Sequence, residues 1–195
     1  KAENAGCCGA VSYHLNAQQE GLNYMRRNVD AWWPYVENKA GSIIGHGVEA
    51  IVMTASGCGV TVKEYGHLLK HDPVYAEKAA RISELTRDIG EILAAEMDKG
   101  ASLFSNSAVN PKESKLSFHS PCTLQHGMQI HGVVEKILVA AGFELNAVPD
   151  AHLCCGSAGT YSILQPELSQ QLLKNKLTAL ESSDPAQIVT ANIGC

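Results

Sequence analysis

Seven cysteines, Cys7, Cys8, Cys58, Cys122, Cys154, Cys155 and Cys195, are the residues whose type and spacing could do chemistry in this sequence. Two adjacent pairs are each followed by glycine, as Cys7-Cys8-Gly9 and Cys154-Cys155-Gly156. Chance places about 0.02 such triplets in a chain of this composition, so two of them form a pattern. Thiolates are soft ligands that select zinc, copper(I) or iron–sulfur clusters. Four of them would complete a zinc site or hold one cluster. Adjacent cysteines suit a multi-iron centre better than a tetrahedral zinc, whose cysteines are usually spaced C-x2–4-C. Glycine after each pair permits close backbone approach to a bulky centre and leaves N–H groups for its sulfides. An odd cysteine count is a poor disulfide framework, which again favours metal or redox chemistry.

The two triplets head two copies of one unit. Counted from the second cysteine of each pair, Glu20 and Glu167 both lie twelve residues on, and Asn28 and Asn175 both lie twenty on. Arg27 and Lys174 immediately precede those asparagines. Residues 50–58 lie over 187–195, each an apolar run ending in Gly-Cys. The gap from pair to single cysteine is 50 residues in the first copy and 40 in the second, and the extra ten fit an insertion near residues 37–47. Cys122 precedes its pair by 32 residues, and its counterpart in the first copy would fall before Lys1. With Lys1 in the place of an initiator Met, the expectation is a piece of a longer protein. Its first lobe covers 1–110, cut at the N-terminus, and its second covers 111–195, cut at the C-terminus.

These cysteines need elements to position them. Residues 17–37 read as a helix on the spacing of Leu22, Met25, Val29, Trp32 or Trp33, and Val36, with Pro34 as a place to kink or end it. Residues 48–55 read as a buried strand, and 60–70 as a short helix leaving Cys58. One amphipathic helix is expected over 74–99, carrying Ile82, Leu85, Ile89, Ile92, Leu93 and Met97, with Gly100 as its stop. The polar stretch 104–115, with Asn110-Pro111, is the expected lobe boundary. Beyond it come a strand over 115–119 leading into Ser120-Pro121-Cys122, a helix over 126–141 stopped at Gly142, and a strand over 143–148. A helix over 166–182 opened by proline and a strand over 187–191 complete the pattern. The expected fold is α/β, two pseudo-repeated lobes, each a small mostly parallel sheet flanked by helices. Ligands bind such sheets beyond the C-terminal strand ends. Cys122, the Cys154-Cys155 pair and Cys195 each follow a strand end, so parallel pairing would bring them to one centre.

Composition narrows the classes. A chain of 195 residues with 45% apolar content buries a sizeable core without disulfide staples. Charged residues make up 18%, a low share that suggests surface covered by a partner. A formal charge of −5 argues against a nucleic-acid surface. No apolar run approaches the roughly 18 residues of a membrane span. Collagen-like, coiled-coil and disordered classes are excluded by composition.

His119, His126 and His131 bracket Cys122, His152 precedes Cys154, and His14 and His67 flank the first-lobe cysteines. Hydrogen bonding around a centre, or plain surface polarity, is the simpler role for each; direct ligation is the other. Tyr65 and Tyr161 read as core or capping residues, and Trp32-Trp33 as packing or a partner contact. No G-x-G-x-x-G follows a strand, so no nicotinamide site is expected.

The repeated Cys-Cys-Gly, with an upstream and a downstream cysteine, resembles the cysteine-rich CCG domain. That domain occurs in heterodisulfide reductases, in lactate-utilisation proteins and in glycolate oxidase iron–sulfur subunits. The stretches Asn4-Ala5-Gly6-Cys7-Cys8-Gly9, Thr54-Ala55-Ser56-Gly57-Cys58-Gly59, Pro121-Cys122-Thr123-Leu124-Gln125-His126, Leu153-Cys154-Cys155-Gly156-Ser157-Ala158-Gly159 and Asn192-Ile193-Gly194-Cys195 are most similar to the last of these. The resemblance implies an iron–sulfur electron-transfer subunit, its cluster of the 4Fe–4S type, held by the cysteines of each lobe. It implies a complex oxidising glycolate to glyoxylate, with flavin-containing partner subunits doing the hydride chemistry. The site would be cytoplasmic, at the inner face of the plasma membrane through the complex. In heterodisulfide reductase the motif ends C-x-x-C and five cysteines hold the cluster; here Thr61 stands three residues after Cys58.

The competing reading is a zinc-stabilised or metal-free interaction module that docks the flavin subunits. Under either reading limited proteolysis should cut within 104–115 before elsewhere. Early cleavage inside 48–55 would contradict the two-copy organisation.

Overall fold

The computed structural model describes residues 2–37, 47–100, 103–104, 109–110 and 113–195. Most of the expected insertion near 37–47 and much of the expected boundary at 104–115 lie outside the described residues. The fold is α/β, and the chain divides into two compact units. The first comprises Lys1–Met53 and Cys58–Arg87, the second Thr54–Gly57 and Asp88–Cys195.

In the first unit, α1 (Ala10–His14) leads into α2 (Gln18–Val36). Met25, Val29 and Val36 of α2 are buried, and Leu22, Trp32 and Trp33 pack against them, as their helical spacing requires. Pro34 sits in the last turn of α2, which ends two residues later. Strand β1 (Ile51–Met53) is shorter than the 48–55 expected. Helix α3 (Ser56–Leu68) begins earlier than the expected 60–70, so Cys58 stands in a helical first turn rather than ahead of one. Val62, Tyr65 and Leu69 join Ala79, Ile82 and Leu85 of α4 (Ala76–Leu85) to complete this core.

The single helix expected over 74–99 is two helices. Strand β2 (Thr86–Asp88) separates α4 from α5 (Ile89–Asp98) and pairs with β1. The reason is local hydrogen bonding. Thr86 Oγ1 donates to Ile82 O at 2.7 Å as the chain turns extended. Asp88 then opens α5 with a capping box, accepting from Gly90 N at 2.7 Å while Asp88 N donates to Glu91 Oε2 at 2.8 Å. Apolar periodicity runs in phase through this break, so spacing alone did not reveal it. Gly100, at φ +85°, follows α5 where a stop was expected.

The second unit is built on a parallel sheet in the order β4–β3–β5: β3 (Lys115–His119), β4 (Glu144–Leu145) and β5 (Gln187–Thr190). Strands 115–119 and 187–191 fall where expected within a residue, and β4 is shorter than 143–148. The helix expected over 126–141 divides into a π-helical turn (Thr123–Gly127) and α6 (Val133–Ala140). Two left-handed residues, Gln129 at φ +58° and Gly132 at φ +70°, intervene. The π turn closes by Met128 N donating to Thr123 O at 2.9 Å. Short α7 (Tyr161–Leu164) precedes α8 (Pro166–Glu181), which opens on its proline and buries Ser169, Lys176 and Leu180. No described helix is long and apolar enough to cross a membrane.

Replacing Asp88 with Ala should lower stability by about 1 kcal/mol, the usual cost of a lost N-cap. A reduced urea midpoint at unchanged slope checks this, and Asp88→Asn should recover most of the loss.

Candidate metal centre

Beyond the C-terminal ends of β3, β4 and β5 lie the loops that carry the second unit's cysteines. Cys122 opens the π turn after β3, Cys154 and Cys155 lie in the long loop after β4, and Cys195 follows β5. The Cys122 thiol lies beside that of Cys154, and the Cys155 and Cys195 sulfurs are within 4.8 Å of each other. His119 ends β3 beside Thr190 of β5, with Nδ1 3.1 Å from Thr190 Oγ1. Ligand atoms of His119, Cys155 and Cys195 all lie within 4.8 Å of one another.

Side chains tie the three loops together. Gln125 Nε2 donates to Ser120 O at 2.5 Å and to Ala151 O at 3.4 Å, joining the Cys122 and Cys154 loops. Ser157 Oγ donates to Gly194 O, joining the Cys154-Cys155 loop to that of Cys195. Two donors point at sulfur: Gly156 N to Cys154 Sγ at 3.3 Å, and Asn192 Nδ2 to Cys195 Sγ at 3.5 Å. Such N–H contacts stabilise charge on sulfur.

Gly156 is required by space as well as by backbone angle. It holds φ +87°, and a β carbon there would lie 2.4 Å from Ser169 O in the first turns of α8. Ser169 Oγ donates to Gly156 O at 2.9 Å and seals the contact.

The first unit repeats this arrangement on a smaller set. Gly9 also holds φ +87°, and a β carbon there would lie 2.6 Å from Gly21 O in α2. In each pair the second cysteine is the buried one, Cys8 at 8% and Cys155 at 6% exposure. In each unit that buried thiol lies beside the late single cysteine, Cys58 or Cys195. The carbonyls of the first pair are clamped from below. Asn28 Nδ2 donates to Cys7 O at 2.9 Å and to Tyr65 OH at 3.1 Å; Tyr65 OH donates to Cys8 O at 2.8 Å; Asn28 Oδ1 accepts from Gly6 N at 2.8 Å. Asn28 and Tyr65 are fully buried, and burial pushes the Tyr65 phenol well above its ordinary range. Tyr65 therefore holds backbone and moves no proton, in line with the core or capping role expected for it.

The spatial register differs from the sequence register by one residue. Gly9 packs on Gly21, twelve residues on, whereas Gly156 packs on Ser169, thirteen on. Seven residues further along each helix stand Asn28 and Lys176, both buried. The position equivalent to Asn28 is thus Lys176 and not Asn175, which is exposed. The pairing of Glu20 with Glu167 shifts likewise.

Crowding controls the protons. The hydrogen bond from Cys8 brings the Cys58 thiol down to about 7, while the same bond and burial push Cys8 far up. Burial, then hydrogen bonding with Cys155, drives Cys195 up to about 11 despite the Asn192 amide, and burial beside Cys154 raises Cys122. Neighbouring thiols resist losing several protons together unless a cation replaces them. Burial, then the Lys176 charge, lowers His119 to about 4, so its ring is neutral at pH 7 and suited to ligation. Four soft sulfurs on neighbouring loops, two of them with N–H donors aimed at them, fit a thiolate-bound metal or iron–sulfur centre.

All seven cysteines thus stand in two sets, Cys7, Cys8 and Cys58 in the first unit and Cys122, Cys154, Cys155 and Cys195 in the second. Of the flagged histidines His119 alone joins such a set among the described residues; His14, His67, His126, His131 and His152 are exposed. Gln125, Asn192 and Lys176 were not expected. Lys176 could have been found as a lysine on the buried stripe Ser169–Lys176–Leu180 of α8.

The chain is similar to known proteins. The family model of the cysteine-rich domain CCG matches residues 1–63 and 116–195. The glycolate oxidase iron-sulfur subunit of Escherichia coli (strain K12) is 53% identical over 194 residues, covering 100% of this chain and 44% of that protein. A probable glycolate oxidase iron-sulfur subunit of Bacillus subtilis (strain 168) is 30% identical, over 97% of this chain and 39% of its own. Lactate utilization protein A of Bacillus licheniformis is 28% identical, over 97% of this chain and 72% of its own. The chain therefore spans less than half the length of the two glycolate oxidase subunits it matches. With the Cys-Cys-Gly geometry present twice and the family model matching both stretches, this chain belongs to the CCG cysteine-rich domain family.

Proposed function

We propose that this chain is the cysteine-rich part of the iron–sulfur subunit of a glycolate-oxidising complex, and that it relays electrons from a flavin-containing subunit to an acceptor. The observation that carries the reading is that the loops of Cys122, Cys154-Cys155 and Cys195 all lie beyond one sheet edge, with the Cys155 and Cys195 sulfurs within 4.8 Å of each other and Gly156 N–H donating to Cys154 Sγ. The similarity to the Escherichia coli subunit supports the choice of complex. Cys122, Cys154, Cys155 and Cys195 would hold a cluster of the 4Fe–4S type in the second unit, and Cys7, Cys8 and Cys58 are the candidate ligands in the first. Such a cluster, when bound, accepts and gives up single electrons. The chain's own residues do the rest. Gly9 and Gly156 press the cysteine pairs down, Asn28 and Tyr65 fix the first pair's carbonyls, and Gln125 and Ser157 hold the second unit's loops in register. Hydride chemistry on glycolate belongs to the flavin partner, because a single-electron carrier must follow a cofactor that splits the electron pair.

The repeats correspond to lobes 1–110 and 111–195, and the complex works on the cytoplasmic side, meeting the inner face of the plasma membrane through its other subunits. One observation favours the alternative, a zinc-stabilised docking module. His119 lies with Cys155 and Cys195, and mixed nitrogen and sulfur sets are readily taken by zinc. Iron and sulfide analysis against zinc content, after anaerobic purification, separates the two. Brown protein with absorbance near roughly 400 nm supports the cluster; colourless protein with stoichiometric zinc supports the module.

If the chain holds one centre, Cys154→Ser should remove most of its metal, whereas Cys58→Ser should leave most of it, as read by iron content per chain. Equal loss from both would mean one shared site. The chain by itself, metal loaded, should show no glycolate-dependent dye reduction. Dye reduction should return when the flavin subunits and the rest of the iron–sulfur subunit are supplied. Turnover by the chain alone would overturn the relay.

A further inference from the structure

Lys176 is a buried cation that the relay described above leaves unused. It is 3% exposed, and its Nζ donates to Ala151 O at 2.8 Å, three residues ahead of Cys154. Among the described residues no carboxylate pairs with it. Ala151 O lies at the head of the loop that carries Cys154 and Cys155, and Gln125 Nε2 reaches the same oxygen at 3.4 Å from the turn that Cys122 opens, so the ammonium sits where two of the cysteine loops are tied together. Burying an ammonium without an anion is strongly unfavourable, so the fold must supply negative charge nearby. Neutral thiols do not; a metal held by thiolates does. At the matching position of the first unit stands Asn28, a neutral side chain with its amide and carbonyl both hydrogen-bonded.

We infer that Lys176 is the built-in counter-ion of an anionic, thiolate-bound centre in the second unit and raises the potential at which that centre takes an electron. The electrical consequence rests on the iron–sulfur reading; the counter-ion role holds for whatever cation the four sulfurs take. In the redox step one electron arrives, no bond forms or breaks and no proton moves. The site becomes more negative by one charge, and a fixed ammonium in a low-dielectric setting favours that state. Lys176 touches no substrate and acts through the sulfurs, as a positioning and charge-setting residue.

Two measurements on the intact chain test this separately from the cluster reading. Iron and sulfide content of the reconstituted parent reports on the cluster alone. The counter-ion is read without iron, in a Cys7→Ser, Cys8→Ser, Cys58→Ser background, by cobalt(II) titration of the second unit through its sulfur-to-cobalt absorption. Lys176→Met should weaken cobalt binding about tenfold or more, and Lys176→Arg should keep it near the parent value. Equal affinity in the parent and the Met variant overturns the proposal. So does an equal loss in the Met and Arg variants, which would make the role one of fit and not of charge. Where iron loads, dithionite titration with mediators, followed by electron paramagnetic resonance, should give K176M a midpoint lowered by about 59 mV, tenfold in the oxidised-to-reduced ratio. An unmoved midpoint overturns the electrical claim. Should K176M not fold, Lys176→Gln, which keeps a donor for Ala151 O without a charge, takes its place in both comparisons.

Discussion

A β carbon has no room at Gly9 or Gly156, and most of the site's geometry depends on that. Both residues hold φ +87°, a conformation that costs glycine little and other residues more. In each unit this turn drives the backbone onto a carbonyl of the following long helix, Gly21 O or Ser169 O. The cysteine pair just before it is thereby held close to the helix. One thiol of the pair goes inward, Cys8 or Cys155, and the other stays nearer solvent. The inward thiol then meets the late cysteine of its own unit. Any side chain at either glycine would lift the loop and separate sulfurs that must act together.

Below that shared turn the two units meet the same need with different chemistry. Carbonyls near a cysteine pair sit over a helix and must find donors there. The first unit uses a neutral network, Asn28 and Tyr65, whose donors and acceptors satisfy one another. The second uses Gln125, Ser169 and Lys176. A neutral network adds rigidity without a long-range field. A buried cation adds a field at the loop its ammonium is bonded to, three residues ahead of Cys154. Identical folding logic therefore yields two electrostatic environments, and the difference lies in one residue per helix.

Much of this was legible in the sequence, and the omissions have physical causes. The repeated Cys-Cys-Gly, the strands at 115–119 and 187–191 and the proline-opened helix were readable because each rests on a local signal. The division of 74–99 was missed although its capping box, Asp88 to Glu91, is written in the sequence. Ile82, Leu85, Ile89 and Ile92 keep one helical phase across it, and a period carries no information about an interruption in phase. The π turn after Cys122 was missed for a related reason: apolar spacing marks which face is buried and does not distinguish one helical pitch from another. The repeat register was misjudged by one residue because Asn175 matches Asn28 in type, whereas Lys176 matches it in place. Packing of a glycine on a helix set that register, and no pairwise comparison of residue types contains it.

The distribution of unfavourable interactions separates the units once more. The first has an apolar core around Met25, Val29, Val62, Ile82 and Leu85, and the polar residues it buries, Asn28, Thr61 and Thr86, are uncharged. The second buries Ser117, His119, Gln125, Ser169 and Lys176. It also holds the buried Ser117 Oγ and Asn146 Nδ2, which lack a hydrogen-bond partner among the described residues. Each such orphan costs about 1–3 kcal/mol, and a buried ammonium costs more. A sheet whose β4 is two residues long does little to offset that. Selection for stability alone would replace these groups with apolar ones. Departures from local rules concentrate where a protein does its work. Here His119 lies beside Cys155 and Cys195, and Lys176 holds the loop that carries Cys154, so the cost falls where bound metal charge would offset it.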